Sequence, residues 1–185
     1  AMRPKYYFHG AYVQYLKFKG TDIDELEYAQ EFDQPLVYLF KTVDDFLRYT
    51  VSKSKPVPVD GWQERMQSNY PHWPLRELTV NAIVHRDYQA NAPIMLREFS
   101  DRIEITNPGG LYGGVSPDKF PNTTDNRNPN IMAVAKTLGY VNRYNFGVNT
   151  SQKILAQNGN SPAEFDFSIP SRFKVTIPIH PDWKK

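Results

Sequence analysis

The chain has 185 residues, 40% hydrophobic and 23% charged, enough for one sizeable core and too few for two full domains. Its 22 basic and 20 acidic side chains leave a formal charge of +2, which offers no basic stripe to nucleic acid. The absence of cysteine excludes disulfides, thiolate catalysis and cysteine-bound zinc; with no apolar run near the ~20 residues of a bilayer span and no signal-peptide block in residues 1–10, a cytoplasmic protein without membrane contact is expected.

Residues 12–18 alternate in the manner of a strand before Gly20-Thr21-Asp22 turns the chain. From Pro35 onward, Leu36, Leu39, Phe40, Val43, Phe46 and Leu47 recur at helical spacing, which predicts a helix over 35–51 with Pro35 in its first turn. Residues 52–59 are polar and broken by Pro56 and Pro58, and with Gly61-Trp62-Gln63 they read as a connector or an edge hairpin. The abrupt opening reads as cut from something longer. Residues 1–60 are therefore expected to be an extension and connector from an upstream domain, and 61–185 the main domain.

A second helix is expected over 75–85, followed by a hairpin of 94–99 and 102–106, in which Ile103 and Ile105 face one way and Glu104 and Thr106 the other. Next comes a glycine loop, Asn107-Pro108-Gly109-Gly110-Leu111-Tyr112-Gly113-Gly114, where backbone can approach a ligand closely. None of the ten glycines sits in the frame of a P-loop, so a P-loop motor is excluded. Residues 116–130 are polar and have the length of a lid. Short helices over 131–138 and 147–157 end at Gly139 and at Asn158-Gly159, and 164–168 with 172–179 form a closing antiparallel pair. Interleaved helices and antiparallel hairpins indicate an α+β two-layer sandwich, a mainly antiparallel sheet with helices on one face.

Within the 75–85 helix, Glu77, Asn81 and His85 recur every four residues and fall on one stripe, with Leu78 on one edge and Val84 on the other. Burying those apolar edges carries a carboxylate, a carboxamide and an imidazole inward, and each then needs a partner. Arg86 and Asp87 read as helix-end charges that pair locally.

The run Arg76-Glu77-Leu78-Thr79-Val80-Asn81-Ala82-Ile83-Val84-His85-Arg86-Asp87-Tyr88, then Ile103-Glu104-Ile105-Thr106-Asn107-Pro108-Gly109-Gly110-Leu111, Arg127-Asn128-Pro129, Leu138-Gly139-Tyr140 and Gly147 closely resemble one family. It is the C-terminal domain of the "RecG-like, ATP-dependent helicase-related" transcriptional regulators, a divergent relative of the Bergerat-fold ATPases such as gyrase, Hsp90, histidine kinases and MutL. The resemblance covers about residues 70–179. Upstream, residues 8–22 look like the segment that leaves a Schlafen/AlbA-type domain in such proteins.

The resemblance implies a Bergerat sandwich that binds ATP and Mg²⁺, with Glu77 as general base of a weak ATPase and Asn81 as the Mg²⁺ ligand. It implies adenine recognition at Asn107, which stands where the family has Asp, and close backbone approach at Gly109 and Gly110. The phosphate cradle falls at residues 144–149, of which Gly147 alone keeps the glycine pattern. His85 would orient Asn81 or Glu77, and Arg127 would reach a terminal phosphate. The expected function is ATP-Mg sensing that shifts the conformation or dimerisation of a larger regulator, whose DNA contact lies in other domains. The alternative is a scaffold of the same fold for dimerisation or protein contact without nucleotide.

Overall fold

The computed structural model describes residues 3–141 and 146–184. Eight strands and four helices follow in the order β1 (Val13–Phe18), β2 (Leu26–Phe32), α1 (Leu36–Phe46), β3 (Ser54–Asp60), β4 (Gln63–Ser68), α2 (His72–His85), β5 (Ile94–Glu98), β6 (Arg102–Pro108), α3 (Pro129–Thr137), α4 (Gly147–Asn158), β7 (Glu164–Asp166) and β8 (Arg172–Pro178). Six strands make one sheet in the order β2-β1-β5-β6-β8-β7, in which β1 and β5 are parallel and every other pair antiparallel. The helices pack on one face of it, with α2 against β6, α3 and α4. The expected α+β sandwich is what forms.

The register explains the two faces. Tyr15, Leu96, Ile105, Val175 and Phe165 stand side by side across five strands and turn toward the helices. One residue along, Arg97 pairs with Glu104 on the opposite face, the polar half of a period-2 pattern. Residues 1–60 supply β1, β2 and α1, and Val13, Tyr15, Leu39, Phe40 and Val43 share one core cluster with α2 and the sheet.

The predicted helix over 35–51 is α1 continued by a wider turn at Leu47–Val51, whose Leu47 and Val51 are buried. Helix α2 begins at His72, three residues before the expected start, because Pro74 lies in the first turn, where no backbone N–H is needed. Strand β2 has no counterpart in the sequence reading: it is an edge strand with one fully buried residue, Phe32, so its polarity pattern carries no signal. The 52–59 segment is the hairpin β3–β4, a separate two-stranded sheet turned at Gly61, with Trp62 fully exposed at its tip. No helix among the described residues is long and apolar enough to cross a membrane.

Buried polar groups fasten the far end of α4. Asn158 Nδ2 donates to the Ser68 carbonyl at 2.8 Å, and Asn160 Nδ2 to the Asn69 carbonyl at 2.9 Å. His180 donates its backbone N–H to Asn69 O at 3.0 Å. These bonds tie α4, the base of the hairpin and the C-terminal strand together.

On the helix-facing side of β5, the Tyr15 hydroxyl donates to the Glu98 carboxyl. Burial pushes the Glu98 carboxyl above its ordinary range, and the Tyr15 hydrogen bond and Lys17 only partly counter it. The folded chain therefore holds this proton to higher pH than the unfolded chain does. The stability it contributes is complete below the unfolded carboxyl value and is lost as pH rises through the folded value. Glu98→Gln is expected to melt at a higher temperature than the wild type at pH 8 and to lose that advantage at pH 4.5. Thermal melts followed by circular dichroism at the two pH values check it; a wild-type advantage that grows with pH would contradict it.

Candidate functional site

Helix α2 is buried on nearly every side, so its polar stripe is interior rather than surface. Glu77 retains 5% exposure and Asn81 and His85 are half-buried. All three line one cavity of about 150 Å³ together with Asn107, Gly109, Gly110 and Gly147. Four separate stretches of sequence thus meet at one place: the middle of α2, the end of β6, the glycine loop and the start of α4. Leu78, Ile105, Met132, Val148, Phe173 and Val175 add an apolar stretch of wall.

Asn107 ends the buried row of β6 after Ile103 and Ile105, and period-2 alternation points its side chain at the cavity. It is 3% exposed, and its Oδ1 has no hydrogen-bond partner. A buried amide oxygen left this way is costly, by about 1–3 kcal/mol, unless a ligand completes it.

The Glu77 carboxyl is held above the ordinary carboxylate range by burial, countered in part by the Arg76 charge and by the Asn81 hydrogen bond. Asn81 Nδ2 lies 3.5 Å from Glu77 Oε1. With the amide nitrogen committed there, the Asn81 carbonyl oxygen is the atom available to a cation. His85 is pulled below its usual value by burial and by the nearby Arg127 charge, so its ring is neutral at pH 7.

Close approach explains the glycines. Gly109 has φ +98° and stands against Asp87, where a methyl group would come within 2.9 Å of Cβ. A methyl group on Gly110 would lie 2.1 Å from the Pro170 carbonyl oxygen, and one on Gly147 only 1.8 Å from Glu77 Oε1. Helix α4 begins at Gly147 with no side-chain cap from Phe146, and Gly147 and Val148 line the cavity.

Arg127 lies outside the cavity wall. Its guanidinium donates to the Gly110 carbonyl at 3.2 Å, meets Asp87 Oδ2 at 3.5 Å and covers the Tyr112 ring at 4.7 Å. The adjacent Asn128 donates to the Val84 and Arg86 carbonyls at 2.9 and 2.7 Å and so caps the end of α2. Pro129 then starts α3. Arg127-Asn128-Pro129 is thus a bracket joining α2, the glycine loop and α3, and its arginine is occupied instead of reaching into the cavity.

The lid contributes residues that the sequence does not single out: Phe120, Thr123, Asp125 and Asn126 line the cavity, as does Tyr112 of the glycine loop. Phe120 packs on Phe165, Phe167 and Phe173 at ring separations of 5.0, 5.1 and 5.7 Å, and the Gly114 N–H donates to Asp125 Oδ2 at 3.3 Å. The lid is closed down on the sheet. Of the expected phosphate cradle, Tyr144 and Asn145 lie outside the described residues, and Phe146 points outward at 62% exposure.

Residues 91–177 match the family model described as "Putative ATP-dependent DNA helicase recG C-terminal". This segment is a RecG C-terminal-type domain. The match takes in β5, β6, the glycine loop, the lid, α3, α4 and most of β8, and α2 with Glu77, Asn81 and His85 precedes it. No curated protein matches the chain. Among solved structures, the DIP2311 protein from Corynebacterium diphtheriae superposes with a TM-score of 0.80 over 91% of this chain at 19% identity. The chain covers 34% of that protein's length, and at this identity the likeness speaks for the fold alone. The fold is an α+β sandwich whose cavity joins the matched segment to α2.

Proposed function

We propose that the chain is an ATP-binding module that senses ATP-Mg and passes the bound state to a larger transcriptional regulator. The observation that carries this reading is the buried, unpartnered Oδ1 of Asn107 in the wall of a cavity that Glu77, Asn81 and the start of α4 also line. An acceptor and a helix N-terminus in one cavity suit a molecule with an amino-bearing base and an anionic tail.

In this reading Asn107 accepts from the base, Gly109 and Gly110 let the loop backbone close over it, and the amides of α4 hold phosphate. Asn81 offers its carbonyl oxygen to Mg²⁺. Among the described residues no three His, Asp or Glu side chains converge on a metal site, so the ion would take its remaining ligands from phosphate and water. Bound nucleotide supplies a phosphoanhydride bond, and Glu77 is the carboxyl placed to hold or accept a proton beside it. The lid, resting on Phe165 and Phe173, is the segment whose position would report occupancy to a second copy or to other domains, which would also carry the DNA contact.

The second reading is a scaffold of the same fold used for dimerisation or protein contact without nucleotide. The cavity volume favours it: about 150 Å³ is less than the roughly 300–1,000 Å³ of most small-molecule sites. A closed lid accounts for the difference in the first reading.

One experiment separates the two. ADP or ATP with Mg²⁺ at about 100 times Kd is expected to add about 2.7 kcal/mol, a melting-temperature rise of roughly 5–10 °C for a chain of this size. Asn81→Ala is expected to lose the Mg²⁺-dependent part, and Asn107→Leu the whole shift. No shift in the wild type at millimolar nucleotide would overturn the first reading in favour of the scaffold.

A further inference from the structure

Two polar side chains in the cavity wall, Glu77 and Asn107, are buried, and they are held to different degrees. Glu77 has the Asn81 amide beside it at 3.5 Å. Asn107 is 3% exposed with an unpartnered Oδ1, and among the described residues no hydrogen bond holds either end of its carboxamide. The backbone that carries it is fixed: Asn107 pairs with Phe173 of β8, between the pairs Thr106–Lys174 and Pro108–Arg172. The freedom left to the side chain is its last torsion, which for Asn is broad and two-fold. Turning the amide over exchanges an acceptor for a donor at one place with almost no change of shape.

A bound purine meets that exchange at its 6-edge. A 6-amino purine presents an N6–H donor beside the N1 acceptor, and a 6-oxo purine presents an O6 acceptor beside an N1–H donor. A group of fixed polarity takes one and rejects the other, because the wrong base leaves buried polar atoms unpaired. An amide free to turn pairs with both: N6–H or N1–H donates to Oδ1, and Nδ2 donates to N1 or to O6. The lid carboxylate that lines the cavity, Asp125, already accepts the Gly114 and Asn126 N–H groups at 3.3 and 2.8 Å, so it is engaged by the backbone around it.

We propose that the cavity accepts 6-oxo purine nucleotides as well as 6-amino ones, the Asn107 carboxamide turning over to pair with either base edge. The proposal rests on the nucleotide reading above and adds the class of base. In both pairings Oδ1, the atom that is orphaned in the closed cavity, gains a donor.

Calorimetric titration of the full chain with ADP and with inosine diphosphate (IDP), in Mg²⁺ at neutral pH, tests this. The two ligands differ only in the 6-substituent and the hydrogen on N1. Wild type is expected to bind them within about fivefold of each other, whereas a reader of fixed polarity separates right from wrong base by about fivefold to a hundredfold. Asn107→Leu, close in size and uncharged, is expected to weaken ADP and IDP alike, by about tenfold or more. Asn107→Asp has two acceptors and no donor, which suits the N1–H and N2–H pair of guanine, and is expected to bind GDP about tenfold more tightly than ADP. Wild type that prefers ADP or IDP by more than about fivefold overturns the proposal and leaves the nucleotide reading intact, and this arm needs no variant to fold. Equal affinities that persist in Asn107→Leu mean that the base never meets this amide, and they overturn it as well. Failure of both ADP and IDP to bind wild type overturns the nucleotide reading and the proposal together.

Discussion

Arg86→Ala is expected to lower the unfolding free energy by about 3 kcal/mol, the cost of removing the shared donor of three carbonyls. Arg86 is 1% exposed, and among the described residues it forms no ion pair with a carboxylate. Nη1 donates to the Asp87 carbonyl at 2.8 Å, Nη2 donates to the Ala90 and Ala92 carbonyls at 2.7 and 2.8 Å, and the guanidinium lies over the Tyr88 ring at 4.9 Å. All of these groups belong to the connection between α2 and β5. Alanine would leave three part-buried carbonyls without their donor, each worth about 1 kcal/mol. The N-terminal segment closes the site, since a methyl group on Gly10 would come within 2.5 Å of Nη2. Lysine would recover little, because one ammonium cannot copy a planar fork that meets three acceptors. Urea denaturation measures the loss, and a change below about 1 kcal/mol would show the connection holding itself. The glycine loop should loosen as well, since Asp87 N–H donates to the Pro108 carbonyl at 2.8 Å, next to Gly109.

Reading Arg86 as a helix-end charge that pairs locally was correct in kind, because its acceptors lie one, four and six residues away. Local geometry is what a sequence encodes most directly. The α2 stripe was legible for the same reason: four-residue spacing fixes a shared face whatever the helix packs against. The β5–β6 hairpin and the row Ile103, Ile105, Asn107 follow from two-residue alternation. Partners distant in sequence were not legible. Asn128 caps a helix that ended more than forty positions earlier, and nothing in Arg127-Asn128-Pro129 distinguishes a cap from a polar loop. The same holds for the Phe120, Phe165 and Phe173 cluster under the lid, and for the parallel pairing of β1 with β5. Arg127 illustrates the limit: an arginine near a phosphate-binding loop invites a ligand role, but here Asp87, Gly110 and Tyr112 use its guanidinium.

Gly147→Ala is expected to destabilise the chain by about 1–3 kcal/mol through overpacking against Glu77, and Glu77→Ala in the same chain to remove most of that loss. The sign of the single change is informative. Gly147 is not among the residues with positive φ, and it opens a helix, where alanine is ordinarily favoured over glycine by up to about 1 kcal/mol. If the Glu77 carboxyl rested elsewhere, Gly147→Ala would be neutral or stabilising. With the carboxyl where it is, the new methyl group meets Oε1 at 1.8 Å, and the Glu77 side chain must leave the place it holds beside Asn81. The pair should therefore be strongly non-additive, with a coupling of about 1–3 kcal/mol in a double-mutant cycle from urea denaturation. Additive effects would place the two groups apart. Coupling of the expected sign would mean that the start of α4 is shaped around a carboxyl, and that Gly147 is glycine because of α2.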